Sequence, residues 1–285
     1  MKTKAKSSLV ALLLAIALML GVIAICPFTV IAAGLDSGSV SVNGHSFSST
    51  RLYYKNGAAD VTNDSEGYNA YFDPSTNTLT LNNYVGDSIY IGGAVQADIN
   101  IVLVGNNVIT TQDQRAVSNT NGGGIFITAE DKATLAVNST AAQSTVYGIY
   151  TGSWGQGKLD ISGKADVRIN IVSNRADSSV YGTYIDGTID IKDDAKLSVA
   201  TASKNVFSGY SVGMGLYAKQ AITINTSNIV SVDTSGIPSE NGNMGIYSDT
   251  SVSLVNATML NVRVRGGSYA VPVYPASSIS SWTDF

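Results

Sequence analysis

Between residues 147 and 265, short apolar strands with polar residues at alternate positions follow one another in a fixed order. The quartet Tyr147-Gly148-Ile149-Tyr150 returns as Tyr181-Gly182-Thr183-Tyr184, Met214-Gly215-Leu216-Tyr217 and Met244-Gly245-Ile246-Tyr247. An alternating triplet follows each: Leu159-Asp160-Ile161, Ile189-Asp190-Ile191, Ile222-Thr223-Ile224 and Val252-Ser253-Leu254. After a second linker comes a third strand: Val167-Arg168-Ile169, Leu197-Ser198-Val199, Ile229-Val230-Ser231-Val232 and Leu260-Asn261-Val262. Such alternation is the period of a half-buried strand, and no sustained helical spacing accompanies it. The three-strand unit recurs every 30 to 34 residues. A unit this small cannot bury its apolar face alone, whereas a stack of copies can. The pattern therefore predicts an all-β chain, a single-stranded parallel β-helix in which each coil contributes three strands.

The same order extends upstream through Arg115-Ala116-Val117-Ser118 and Ile89-Tyr90, and downstream to Tyr269-Ala270-Val271-Pro272. The fourth quartet position then falls at 90, 118, 150, 184, 217, 247 and 272, which makes six full coils and the start of a seventh. Residues 34–86 do not repeat. Val40-Ser41-Val42 runs into the turn pair Asn43-Gly44, and Tyr71-Phe72 joins Leu79-Thr80-Leu81 across a polar segment containing Asp73-Pro74, both hairpin signals. Terminal units that differ from the repeat cover the open edge of a solenoid. We expect residues 34–86 to be an N-terminal β cap and residues 87–285 the β-helix, with Pro272 and Pro275 marking its last edge.

Lys2, Lys4 and Lys6 precede an apolar run from Leu9 to Cys26, and Ile31-Ala32-Ala33-Gly34 offers a cutting site. Residues 1–33 read as a secretory signal peptide, which places the product outside the cell, secreted or held at the cell surface. Loss of the three lysines leaves 14 basic against 21 acidic residues, about −7, which disfavours nucleic acid and anionic membrane as partners. The exported chain also lacks cysteine, so neither a disulfide framework nor a thiolate metal site is expected.

The run from Tyr71 to Tyr84, with Asp73-Pro74-Ser75-Thr76-Asn77-Thr78 at its turn, and the later Ile99-Asn100-Ile101-Val102-Leu103-Val104-Gly105-Asn106-Asn107 carry a resemblance. The chain resembles secreted Gram-positive proteins with a carbohydrate-binding β-helix domain, within the broader pectin-lyase-like solenoid group. The resemblance implies a right-handed parallel β-helix that binds acidic plant polysaccharide, sometimes with calcium. Its motifs encode turns and core, and no functional residue is carried over by it.

Stacked coils bring equivalent residues into columns about 4.8 Å apart. With quartet positions one and three facing inward, positions two and four face out. Tyr150, Tyr184, Tyr217 and Tyr247 then form an exposed ladder beside a glycine column, a surface on which sugar rings can stack. The opposite parity would bury these tyrosines as a core stack. Between the first and second strands three coils use four residues, but in the coil before them Thr151 to Lys158 uses eight and brings Trp154 on a glycine-rich loop, a further stacking candidate. Asp160 lies one coil above Asp190, and such a carboxylate pair needs a cation or lysines beside it. Calcium held by Asp160, Asp190 and Asp186 is one answer, and pairing with the flanking Lys158 and Lys192 is the other.

We therefore expect a secreted, non-catalytic polysaccharide-binding protein that requires no cofactor. The rivals are a pectate-lyase-like enzyme, assembled loosely from Asp160, Asp190, Lys158, Lys192 and Arg168, and a structural surface protein or adhesin. No nucleophile elbow or phosphate loop appears, and His45 stands without catalytic companions in sequence.

Overall fold

A computed structural model of the chain describes residues 35–152, 156–175, 178–204, 212–237, 243–256, 259–265 and 270–275. The signal-peptide reading of residues 1–33 and the Trp154 reading lie outside the described residues.

The repeat folds as a parallel β-solenoid. One face is a parallel sheet of the strands Ile89–Ile91, Arg115–Asn119, Thr145–Thr151, Ser179–Ile185, Gly213–Ala218, Met244–Ser248 and Val271–Tyr274, in that order. On the second face the triplet strands Ile189–Asp193, Ile222–Thr226 and Val252–Leu254 stack in register on the first part of Leu159–Ser173. The third face stacks Lys196–Ser203, Ile229–Gly236 and Met259–Arg263 on the later part of Leu159–Ser173. In two middle coils the second and third strands are one bent strand, Ile125–Ala141 and Leu159–Ser173. The bend falls at a register shift between Ala129 and Ala133 and at Gly163, whose φ of 63° is left-handed. A Cβ at Gly163 would lie 2.4 Å from the Ala129 carbonyl oxygen, so the corner needs glycine on both counts.

The solenoid makes about five turns, against six full coils and the start of a seventh expected. Strands at either end of the first face have a parallel neighbour on one side only: Ile89–Ile91 meets an antiparallel strand on its other edge, and Val271–Tyr274 closes the row. The register runs through Tyr90, Ser118, Tyr150, Tyr184, Tyr217 and Tyr247 as the spacing predicts. At the last rung the expectation fails by two residues, because Tyr247 pairs with Tyr274 rather than Pro272. The quartet there is Val271-Pro272-Val273-Tyr274, with Val273 buried in the core position.

Residues ahead of the repeat pair antiparallel. Val40–Val42 lies between His45–Ser46 and Ile89–Ile91, and Tyr53–Tyr54, Ala70–Asp73 and Thr78–Asn82 form a meander whose last strand joins the second face. Their inner side buries Phe47, Tyr54, Phe72, Leu79 and Leu81, and their pairing occupies hydrogen-bonding edges that the first rung would leave open.

The interior consists of aliphatic columns, one residue per rung. Leu159, Ile189, Ile222 and Val252 stack along one line and Ile169, Val199 and Val232 along another, all buried. Each such side chain contributes about 1.5–3 kcal/mol by leaving water, so the column is held together by many modest and nearly equal terms.

Candidate functional site

The first face departs from simple alternation inside each quartet. In Thr145–Thr151 the second and third positions, Gly148 and Ile149, are both buried, while the first and fourth, Tyr147 and Tyr150, both face out and are half-buried. Ser179–Ile185, Gly213–Ala218 and Met244–Ser248 repeat this order. The expected inward first position and outward glycine are therefore corrected. Gly148, Gly182, Gly215 and Gly245 point into the core, and Tyr147, Tyr181, Met214 and Met244 join the outer surface.

Close approach is the cause. A Cβ on Gly182, Gly215 or Gly245 would lie 2.2, 2.0 and 2.2 Å from a Cγ1 of Val199, Val232 and Val262, the third strand of the same coil. It would also meet a carbonyl oxygen of the next rung at 2.5, 2.6 and 2.5 Å. The second position drops out of the paired register in every rung, so the chain kinks there and the alternation slips by one. Tyrosines three residues apart, which a regular strand would send to opposite faces, thereby share one side. Pro272 takes the second position in the last rung, where the skipped register asks no ladder hydrogen bond of it.

From Tyr150 to Tyr274 the outcome is a continuous aromatic column. Ring centroids of Tyr150 and Tyr184 lie 5.6 Å apart, Tyr184 and Tyr217 4.8 Å, Tyr217 and Tyr247 5.7 Å, and Tyr247 and Tyr274 5.1 Å. Interplanar angles of 21°, 36°, 18° and 11° show rings overlapping like shingles rather than lying flat on the surface. Beside it, Tyr147 stacks on Tyr181 at 5.3 Å and lies 4.9 Å from Tyr150, so two rungs carry a four-tyrosine cluster. Overlap covers part of each face, and Tyr150, Tyr184, Tyr217 and Tyr247 are half-buried. The outermost rings, Tyr90 and Tyr274, are 46% and 47% exposed.

Burial among neighbouring rings raises the phenol pKa of Tyr147 to about 12, with Tyr181 adding to the effect, and raises Tyr181, Tyr184 and Tyr247 for the same leading reason. At physiological pH these groups are neutral and both donate and accept hydrogen bonds. Tyr217 donates to Asp249 at 3.2 Å. An unfolded tyrosine ionises near pH 10. Between that pH and about 12 the unfolded chain has lost a proton that folded Tyr147 keeps, so stability is full below about pH 10 and falls as pH rises through 12. Urea midpoints should drop between about pH 9 and about pH 11, with phenolate absorbance lagging that of free tyrosine. Normal titration of every tyrosine in the folded protein would contradict the stacking.

The acidic candidates are engaged by lysine. Asp160, only 3% exposed, meets Lys192 Nζ at 2.8 Å and Lys158 Nζ at 3.3 Å, and Asp190 meets Lys158 at 2.7 Å. Asp186 pairs with Lys219 on another edge of the coil. The three carboxylates proposed for calcium are thus each beside an ammonium group. Among the described residues no group of three or more histidine, cysteine or acidic side chains is placed to hold a metal ion. Arg168, sketched into a lyase site, is held by Asp166 at 2.7 Å, beyond the Gly163 corner from Asp160.

Sequence reasoning missed six members of the outer surface: Tyr147, Tyr181, Met214, Met244, Arg115 and Tyr274. A signal for the first two was present. Val146 and Val180 before the quartet and Thr151 and Ile185 after it are buried, so the outward pair is bracketed by inward residues on both sides. Arg115 places its guanidinium carbon 4.3 Å from the Tyr150 centroid and 5.9 Å from that of Tyr147. No family model, curated protein or solved structure matches the chain.

Proposed function

We propose that the chain is an exported, non-catalytic polysaccharide-binding protein, and that the glycan lies along the tyrosine column of the first face. The continuous outward column carries the reading. It offers one aromatic ring and one hydroxyl per rung, at a spacing close to that of successive sugars, on a rigid sheet that needs no ordering when a chain binds. Polar rings suit sugars, whose faces are apolar and whose rims carry hydroxyls. The lysine-rich start and the apolar run of residues 1–33 support export, and the resemblance to secreted Gram-positive carbohydrate-binding solenoids supports the ligand class. Binding by the column requires no metal.

Retention of the protein on a panel of insoluble and acidic glycans tests the reading. We expect at least one glycan to hold it, and Tyr184→Ser with Tyr217→Ser to weaken that binding about thirtyfold while the protein stays folded. Failure on every glycan, with and without calcium, or undiminished affinity in the double variant, would refute it.

A further inference from the structure

The tyrosine column is interrupted at one rung. Between Tyr90 and Tyr150 the aligned residue is Ser118. Two rungs, about 9.6 Å, separate the flanking tyrosines there. Ser118 is itself only 2% exposed, and beside it lies a cleft of about 490 Å³ whose lining includes Ser88, Tyr90, Asp113, Arg115 and Ser118. That volume accommodates a sugar residue with room for its substituents.

Arg115 distinguishes this cleft from the rest of the face. Its guanidinium packs against Tyr150 and Tyr147, and its Nε is buried without a hydrogen-bond acceptor. Other cations near the columns, Lys158, Lys192 and Lys219, are each matched by a carboxylate, whereas no carboxylate lies within ion-pair distance of Arg115 among the described residues. The one acid lining the cleft, Asp113, accepts a hydrogen bond from the Ser88 hydroxyl at 3.0 Å. An arginine fixed by ring stacking presents a planar fork of donors that matches a carboxylate. The surroundings restrict how many such groups it can serve. The chain carries a net charge of −4, and Asp249 and Asp186 flank the column farther along.

We propose that the Ser118 cleft binds a single carboxylate-bearing sugar residue, its carboxylate on Arg115 and its ring toward Tyr90, as the end or a branch of an otherwise neutral glycan. Among the described residues Arg115 is the cation of this face without a carboxylate partner, and in an acidic field it selects one anionic residue and rejects a uniformly charged chain. The cleft would also fix the direction in which the polymer lies, because the other end of the column has no counterpart among the described residues. The proposal rests on the polysaccharide reading for the rest of the polymer, but the cleft can be tested without it.

The test follows the arginine Nε–H resonances of the full exported chain while sodium glucuronate or glucose is added. Glucuronate should shift the Arg115 signal and glucose should not. Arg115→Lys should weaken glucuronate binding about tenfold, and Arg115→Gln should abolish it. Ser118→Tyr restores the residue type that the column carries in other rungs and should also abolish the response, which guards against misfolding of the arginine variants. Equal responses to both sugars, or a glucuronate response that survives in Arg115→Gln or Ser118→Tyr, overturns the proposal. The Tyr184→Ser, Tyr217→Ser double variant should keep the full glucuronate shift, so failure of the column and failure of the cleft are read separately.

Discussion

Gly215→Ala should lower the free energy of unfolding by about 3 kcal/mol, and Gly215→Val should prevent the rungs from closing at all. The added methyl would sit 2.0 Å from Val232 Cγ1 and 2.6 Å from the Gly245 carbonyl oxygen. These obstacles differ in kind. Val232 can be trimmed, whereas the carbonyl belongs to the neighbouring rung and moves only if the sheet does. Val232→Ala alone should cost about 2 kcal/mol for lost burial. Combined with Gly215→Ala it should cost about 1 kcal/mol less than the two separately, because one clash is relieved and the other persists. Urea unfolding followed by circular dichroism measures all three. A loss below about 1 kcal/mol for Gly215→Ala would mean that the third strand does not approach the quartet this closely.

The second large effect is expected at Asp160. Its carboxylate is almost fully enclosed and holds Lys192 and Lys158 at 2.8 and 3.3 Å. Asp160→Ala leaves Lys192 with no carboxylate among the described ion pairs and leaves Lys158 to Asp190 alone. Breaking a fully buried pair costs about 3–5 kcal/mol. Lys192 and Lys158 are 45% and 33% exposed, and water recovers part of that, so we expect about 2 kcal/mol. Asp190→Ala, which removes a carboxylate 29% exposed, should cost less than about 1 kcal/mol. Comparing urea midpoints of the two variants settles the ranking. Equal losses would show that Asp160 is less enclosed than its position indicates.

The repeat was legible because identical residue types recur at near-constant spacing, and stacking turns that spacing directly into register. The pairings Tyr150 with Tyr184, Asp160 with Asp190 and Val167 with Leu197 all follow from it. What alternation alone could not show was the slip at the glycine. A period of two assigns Tyr147 and Tyr150 to opposite sides, and only the skipped second position unites them. The kink depends on what packs against the glycine, namely Ile169 or Val199 from a strand about 20 residues later, and local pattern carries no such information. The shift at the final rung has the same root, since Pro272 stands where the kink tolerates it. Arg115 was overlooked because its role depends on a missing tyrosine one rung away from its ring partners, which is a relation between coils.

Each rung meets chiefly the rungs directly before and after it, so the molecule's length is not locked to the rest of its design. A tandem duplication of one 30–34 residue unit would enter as an extra storey and present the same carbonyls, glycine and valine to its neighbours. Its outer surface would grow by one phenol and about 4.8 Å. Reach along a polymer would thus change in whole steps, through copying of existing modules and without invention of a new one.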